Sequence, residues 1–181
     1  MRELALHILD ILQNTVEAGA SRVSLIINED PKDDRLTITV RDDGCGMDNE
    51  TVLRTVDPFF TTRQTRHVGL GLPLFAAAAE RAGGRLEIRS RPGIGTKVEA
   101  TFRLSHPDRQ PLGSMADTLL AFLLSEKALA LEYIHRTAKD TFEFNTADIR
   151  KELGDELTMT HPAVRQWLRK FLAEGEQSVQ T

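Results

Sequence analysis

The chain is nearly without cysteine: Cys45 is the single thiol among 181 residues. That excludes an internal disulfide and any metal site built from several thiolates, and it leaves Cys45 as a small filler. A basic excess is missing too. Residues 1–104 hold 14 Lys and Arg against 15 Asp and Glu, residues 105–181 hold 9 against 12, and the net charge is −4. Neither part offers the positive field that nucleic acid requires, so nucleic acid is not an expected partner. Long apolar runs are absent. The longest, 70–79, is too short and too Ala-rich to span a bilayer, and Met1-Arg2-Glu3 opens an amphipathic helix rather than a signal peptide. No membrane partner and a cytoplasmic location are expected. Internal repeats and low-complexity segments are missing as well. What is present, 40% hydrophobic and 28% charged residues, suffices for one good core plus a smaller unit.

Hydrophobic periodicity divides the chain. From 3 to 18, Leu4, Ile8, Ile11, Leu12 and Thr15 fall at helical spacing, while Glu3, His7, Asp10, Asn14 and Glu17 line a second, polar face. A C-terminal Gly19 ends this helix. Segments 22–28 and 36–41 read as strands, the second alternating cleanly with Leu36, Ile38 and Val40 inward. Asp48 is the expected N-cap of a short helix through Val56. Segment 59–68 is then polar and without period after two aromatics, which reads as a mobile loop with a fixed root. A helix follows from Gly69, with Pro73 tolerated in its first turn and Gly83-Gly84 closing it. Segments 85–90 and 96–104 form a hairpin around Pro92-Gly93-Ile94-Gly95. The resulting order predicts an α/β two-layer sandwich, with helices on one face of a mixed, mostly antiparallel sheet.

His106-Pro107-Asp108-Arg109-Gln110-Pro111 punctuates the chain. The boundaries expected are a first domain over 1–104, a linker over 105–112, a small α+β accessory unit over 113–175 and a disordered tail over 176–181. Within the accessory unit we expect a helix over 115–126 and a hairpin of 131–136 with 141–145. Thr146 is expected to cap a helix over 147–153, and a last helix reaches Ala173 with Trp167, Leu168, Phe171 and Leu172 as its buried stripe.

Several short stretches carry chemistry. Val40-Arg41-Asp42-Asp43-Gly44-Cys45-Gly46-Met47 runs a strand into an Asp-x-Gly-x-Gly turn. Asp42 can accept a hydrogen bond from an exocyclic amine, and Gly44 and Gly46 allow positive φ and leave no Cβ to block a flat ligand. Such a carboxylate favours adenine over guanine, whose keto oxygen it repels. Asp10 and Asn14 lie one helical turn apart. An amide oxygen able to join a Mg²⁺ shell thus sits beside a carboxylate able to orient or deprotonate a nucleophile. Gly69, Leu70, Gly71 and Leu72 at a helix start offer backbone N–H groups and a positive dipole end to phosphate. The loop before them supplies Arg63 and Arg66, and Thr96 offers a hydroxyl that can bridge Asp42 and the base through water.

Taken in order, Asp-x-x-x-Asn, Asp-x-Gly-x-Gly, Phe-Phe-Thr-Thr-Arg, Gly-Leu-Gly-Leu and Gly-x-Gly-Thr resemble the motif set of the GHKL superfamily, which contains gyrase, Hsp90, histidine kinases and MutL. The resemblance covers residues 1–104. It implies the Bergerat ATP-binding fold with ATP and Mg²⁺ as cofactors: Asn14 at the metal position, Asp42 at the adenine and Gly69 to Leu72 beneath the phosphates. Asp10-Ile-Leu-Gln-Asn14 and the Asp-Asp-Gly-Cys-Gly turn look like the MutL branch. Asp57-Pro-Phe-Phe-Thr-Thr-Arg63 and Gly-Leu-Gly-Leu look like histidine kinase catalytic domains. The base position in ATP-hydrolysing relatives is usually Glu, and Asp10 is one methylene shorter, which implies that hydrolysis through water is slow or absent.

No acceptor-histidine hairpin is expected before Met1, and 105–181 is too short for a transducer domain of the gyrase or MutL kind. The functional expectation is therefore a kinase or ATPase of the histidine-kinase-like type that acts on a separate protein partner. Asp10 positions the attacking group and Arg63 offsets charge during transfer. The alternative is a switch in which ATP orders the loop and presents the C-terminal unit or a homodimer surface with little turnover. A helix-turn-helix over 147–173 is disfavoured by the acidic balance of that region.

Overall fold

The structure is a computed structural model, and it describes residues 3–55, 71–125, 129–153 and 161–180. The first helix, α1 (Leu4–Glu17), forms where the periodicity placed it, with Leu4, Ile8, Ile11, Leu12 and Thr15 buried. Glu3 provides no side-chain cap. Instead the backbone N–H groups of Leu4 and Ala5 donate to the carbonyls of Pro111 and Leu112 at 3.0 and 2.8 Å. The stretch expected to be a linker thereby satisfies the open start of α1.

Strands β1 (Arg22–Asp30) and β2 (Arg35–Asp42) form an antiparallel hairpin in which Leu25 faces Val40 and Ile27 faces Ile38. Strand β2 also pairs antiparallel with β4 (Gly95–Arg103), whose other neighbour is β3 (Arg85–Arg91). Between them lie α2 (Asn49–Thr55) and α3 (Gly71–Arg81). Asp48 caps α2 as expected, accepting from the Thr51 N–H at 2.7 Å. The later elements are α4 (Met115–Ser125), β5 (Ala130–Arg136), β6 (Thr141–Asn145), α5 (Thr146–Leu153) and α6 (Pro162–Gln180).

One mixed sheet results, in the order β3-β4-β2-β1-β5-β6. Its single parallel pair joins β1 to β5, with Leu25 beside Tyr133 and Ile27 beside His135. The hairpin expected in the C-terminal unit therefore lengthens the sheet of the first 104 residues. Helices α1, α3 and α6 pack on one face, with α4 set against α1 and α6, and Leu25, Ile27, Ile38, Val40, Phe102, Leu131 and Tyr133 are buried.

Three readings of the C-terminal part need correction. The Thr146 hydroxyl accepts from the Leu131 N–H at 2.8 Å, and Asn145 Oδ1 caps α5 by accepting from the Ala147 N–H at 2.8 Å. Residues 176–180 are helical, not a disordered tail: Glu176 and Val179 are buried at 6% and 1% exposure. Glu176 is held there by the Tyr133 hydroxyl and by His135, polar partners that no apolar periodicity announces. Trp167 is 43% exposed, outside the core stripe that buries Leu168 and Leu172 completely. Its indole stacks on Phe171 with centroids 5.1 Å apart, so one aromatic shields the other from outside.

Candidate functional site

One face of α1 carries Asp10 and Asn14, and the C-cap residue Ala18 continues it, at steps of four residues. Each step is about 6 Å along the axis, and each of the three side chains is half-buried. At the Asp10 end stands the start of α3. A Cβ placed on Gly71 would overlap the Asp10 carboxylate where it stands, so α3 begins directly against that group and a side chain there would have to turn the carboxylate aside. At the Ala18 end stands the Asp-Gly turn. The Cys45 N–H donates to the Ala18 carbonyl at 2.8 Å, and a Cβ on Gly44 would lie 2.8 Å from the Ala18 methyl. Asn14 lies between these two contacts.

The Asp-Gly turn is held from its other side by the 91–95 turn. Gly93 donates its N–H to the Cys45 carbonyl at 2.7 Å, and Gly46, at φ 66°, sits where any Cβ would strike the Arg91 carbonyl. This revises the reason for the glycines. Gly44 is not in the positive-φ region, and the space a side chain would take at either position is filled by the protein itself.

The two adjacent carboxylates of that turn do different work. Asp43 accepts from the Ser21 N–H at 2.7 Å, the Ser21 hydroxyl at 2.6 Å and the Arg22 N–H at 2.8 Å. These bonds, the Ser21 side chain foremost, lower its pKa to about 2. It ties the turn to the corner between α1 and β1. Asp42 points the other way, paired in register with Thr96 across β2 and β4. Its Oδ1 accepts from the Gly44 N–H at 2.8 Å. Burial raises its pKa despite that bond and a second from the Thr96 backbone. A half-buried carboxylate with a raised pKa and acceptor capacity to spare suits a ligand that donates.

Sequence reasoning missed one residue at the edge of this region and misplaced another. Ser90, opposite Thr96 in the β3–β4 register, accepts from the Met47 N–H at 2.8 Å and lies 2.9 Å from the Thr96 hydroxyl. The signal was available in the hairpin register, which pairs positions 90 and 96 across the 91–95 turn. His7, on the polar face by its spacing, is instead buried. It is 2% exposed, its ring stacked on Phe75 with centroids 5.1 Å apart, and burial lowers its pKa.

Of the residues singled out in the sequence, Asp10 and Gly71 touch, Asp42 and Thr96 pair, and Gly44 and Gly46 frame the turn. Leu72 is partly buried against the core. Arg63, Gly69 and Leu70 lie outside the described residues, as do Arg66 and the whole of the loop expected to be mobile. Among the described residues no group of His, Cys, Asp and Glu is arranged to hold a metal ion on its own. No helix among them is long and apolar enough to cross a membrane.

Comparison with known proteins places the chain in a family. The family model of histidine kinase-, DNA gyrase B-, and HSP90-like ATPases matches residues 2–106, more than half of the chain, and the chain belongs to that family. Relatives include the signal transduction histidine-protein kinase AtoS of Escherichia coli K12, 36% identical over 108 residues, covering 59% of this chain and 17% of AtoS. Another is the sensor protein kinase FleS of Pseudomonas aeruginosa, 39% identical over 89 residues, covering 49% of this chain and 22% of FleS. The chain thus spans under a quarter of the length of either relative. Among solved structures, the Aquifex aeolicus MutL ATPase domain complexed with ADP superposes with a TM-score of 0.52 at 15% identity, over 75% of this chain and 60% of that one. The N-terminal domain of a DNA repair protein gives 0.54 at 15% identity, over 79% and 52%. The sheet and its helices are therefore those of a GHKL-type ATPase domain.

Proposed function

We propose that the Asp10–Asn14–Ala18 face of α1 is the floor of a Mg-ATP site, and that the chain is an ATP-dependent phosphotransferase or ATPase acting on a separate protein. One observation carries this reading: the same helix face is met at one end by a glycine helix start and at the other by a turn presenting Asp42 and Thr96. The eight-residue rise from Asp10 to Ala18, about 12 Å, is the scale of a nucleotide lying from base to terminal phosphate.

In this reading Asp42 accepts from the adenine amine, directly and through a water shared with Thr96, while Gly44 and Gly46 shape the turn beside the base. Gly69, Leu70, Gly71 and Leu72 cradle the phosphates with backbone N–H groups and the positive end of α3. Asn14, with Asp10 nearby, offers oxygen donors. A lone amide oxygen beside a carboxylate fits an ion that completes its shell with phosphate and water. When bound, Mg²⁺ neutralises phosphate charge. Asp10 orients the attacking group, and Arg63 offsets negative charge as transfer proceeds.

The kinase relatives favour protein phosphorylation over simple hydrolysis, as does the reach of Asp10, shorter than the usual Glu. The switch reading retains one observation in its favour. Helix α1 packs on α4 as well as α3, and its first amides are bonded to the 111–112 backbone. Any nucleotide-driven shift of α1 would be felt in the C-terminal region. Incubation with γ-labelled ATP, alone and with cell extract, separates the readings. Label on another protein supports the phosphotransferase, free phosphate alone the ATPase, and retained intact ATP the switch.

A further inference from the structure

We propose that Ser90 is a positioning residue that fixes the polarity of the Thr96 hydroxyl, and through it the choice of a 6-amino over a 6-oxo purine. The inference rests on the adenine reading of the pocket and adds a determinant to it. Ser90 Oγ has three partners: the Met47 N–H at 2.8 Å, the Gly95 carbonyl at 3.0 Å and the Thr96 hydroxyl at 2.9 Å. A hydroxyl has one proton and two acceptor positions. The amide of Met47 can only donate and the carbonyl of Gly95 can only accept. Ser90 therefore gives its proton to Gly95, and the remaining contact is satisfied only if Thr96 donates to Ser90.

With its proton committed, Thr96 Oγ1 meets everything else as an acceptor. Beside it, Asp42 has Oδ1 engaged by the Gly44 N–H and takes a further bond from the Thr96 backbone, leaving only lone pairs for a ligand. The base edge of the pocket thus presents two acceptors side by side. An exocyclic amine carries two N–H groups and can satisfy both, directly or through one water. A keto oxygen satisfies neither and leaves buried acceptors facing it. Without Ser90, the Thr96 hydroxyl is free to rotate and donate to a keto group. Ser90 also ties together the 44–47 turn and the β3–β4 hairpin, but that bracing affects all purines alike. Selectivity is the part that depends on proton direction.

The test is equilibrium binding of ATP and of inosine triphosphate to the full chain in Mg²⁺ buffer. Wild type is expected to prefer ATP. Ser90→Ala should narrow the preference by roughly three- to tenfold, the scale of one neutral hydrogen bond. Ser90→Thr, which keeps the hydroxyl, should retain it. Should Ser90→Ala not fold, Ser90→Cys keeps the bulk with a weak donor and carries the same expectation. An unchanged preference in Ser90→Ala or Ser90→Cys, with wild type still selective, overturns the role of Ser90 and leaves the adenine reading standing. A wild type that binds neither nucleotide, or both equally, overturns both.

Discussion

Gly71 abuts the Asp10 carboxylate so closely that a Cβ there meets it unless the carboxylate turns aside. Gly71→Ala should therefore destabilise the fold by about 1–3 kcal/mol through overpacking and weaken nucleotide binding by displacing the helix start. If the clash is with Asp10, adding Asp10→Ala should recover most of the lost stability. Denaturant unfolding of the two single variants and the double variant measures that coupling. Strictly additive losses would show that the strain lies elsewhere.

Asp42 must be ionised to act as a pure acceptor, and burial raises its pKa. ATP affinity should therefore begin to fall, as pH is lowered, at a higher pH than an ordinary aspartate would dictate. Asp42→Asn should weaken ATP by roughly tenfold or more, since an amide donor then opposes the adenine amine. Titration calorimetry across pH 4–7 checks both, and an affinity flat over that interval would remove Asp42 from the base contact.

His135 gives a separate pH signature. It is fully buried, with Nδ1 3.0 Å from Glu176 and Nε2 3.2 Å from Glu29. Burial alone would lower its pKa, but the two carboxylates outweigh that and raise it to about 9. Glu29 is held below its usual range, chiefly by the same contact. Because the folded pKa lies above the unfolded value, the histidine's contribution is complete below about pH 6.5 and is lost as pH rises through about 9, a loss on the order of 3 kcal/mol. Glu176→Gln should remove much of this dependence and bring the His135 titration down, as followed by NMR. An alkaline limb as steep in the variant as in wild type would contradict it.

Neighbours on α6 should respond very differently to truncation. Leu168→Ala opens a cavity in a fully buried position and should cost about 2–5 kcal/mol. Trp167→Ala, on a side chain 43% exposed, should cost about 1 kcal/mol or less. Thermal unfolding of the two variants ranks them, and equal costs would mean that the indole is buried after all.

What was readable in the sequence follows from how local each determinant is. The apolar stripe of α1, the alternation of β2 and the Asp48 cap depend on residues within one element, and each appears where expected. The family's α/β sandwich was legible because its motifs are short and ordered. Long-range pairing was not. Nothing within 130–136 announces a parallel bond to β1, and Glu176 reads as a solvated residue until Tyr133 and His135 are brought beneath it. Gly46 takes the positive φ expected of it and Gly44 does not, and at both positions Ala18 and Arg91 occupy the space that a Cβ would fill. Trp167 followed the stripe by identity more than by angle, and its ring fell outside the core.

The central claim is that α1 floors a nucleotide site with Asn14 at its middle. The most direct test is titration calorimetry of Mg-ATP into wild type and Asn14→Ala, with both checked for native folding by circular dichroism. Saturable binding by wild type and its loss, by about tenfold or more, in the folded variant is the predicted result. Equally tight Mg-ATP binding by both proteins, or no heat with wild type, would contradict the account.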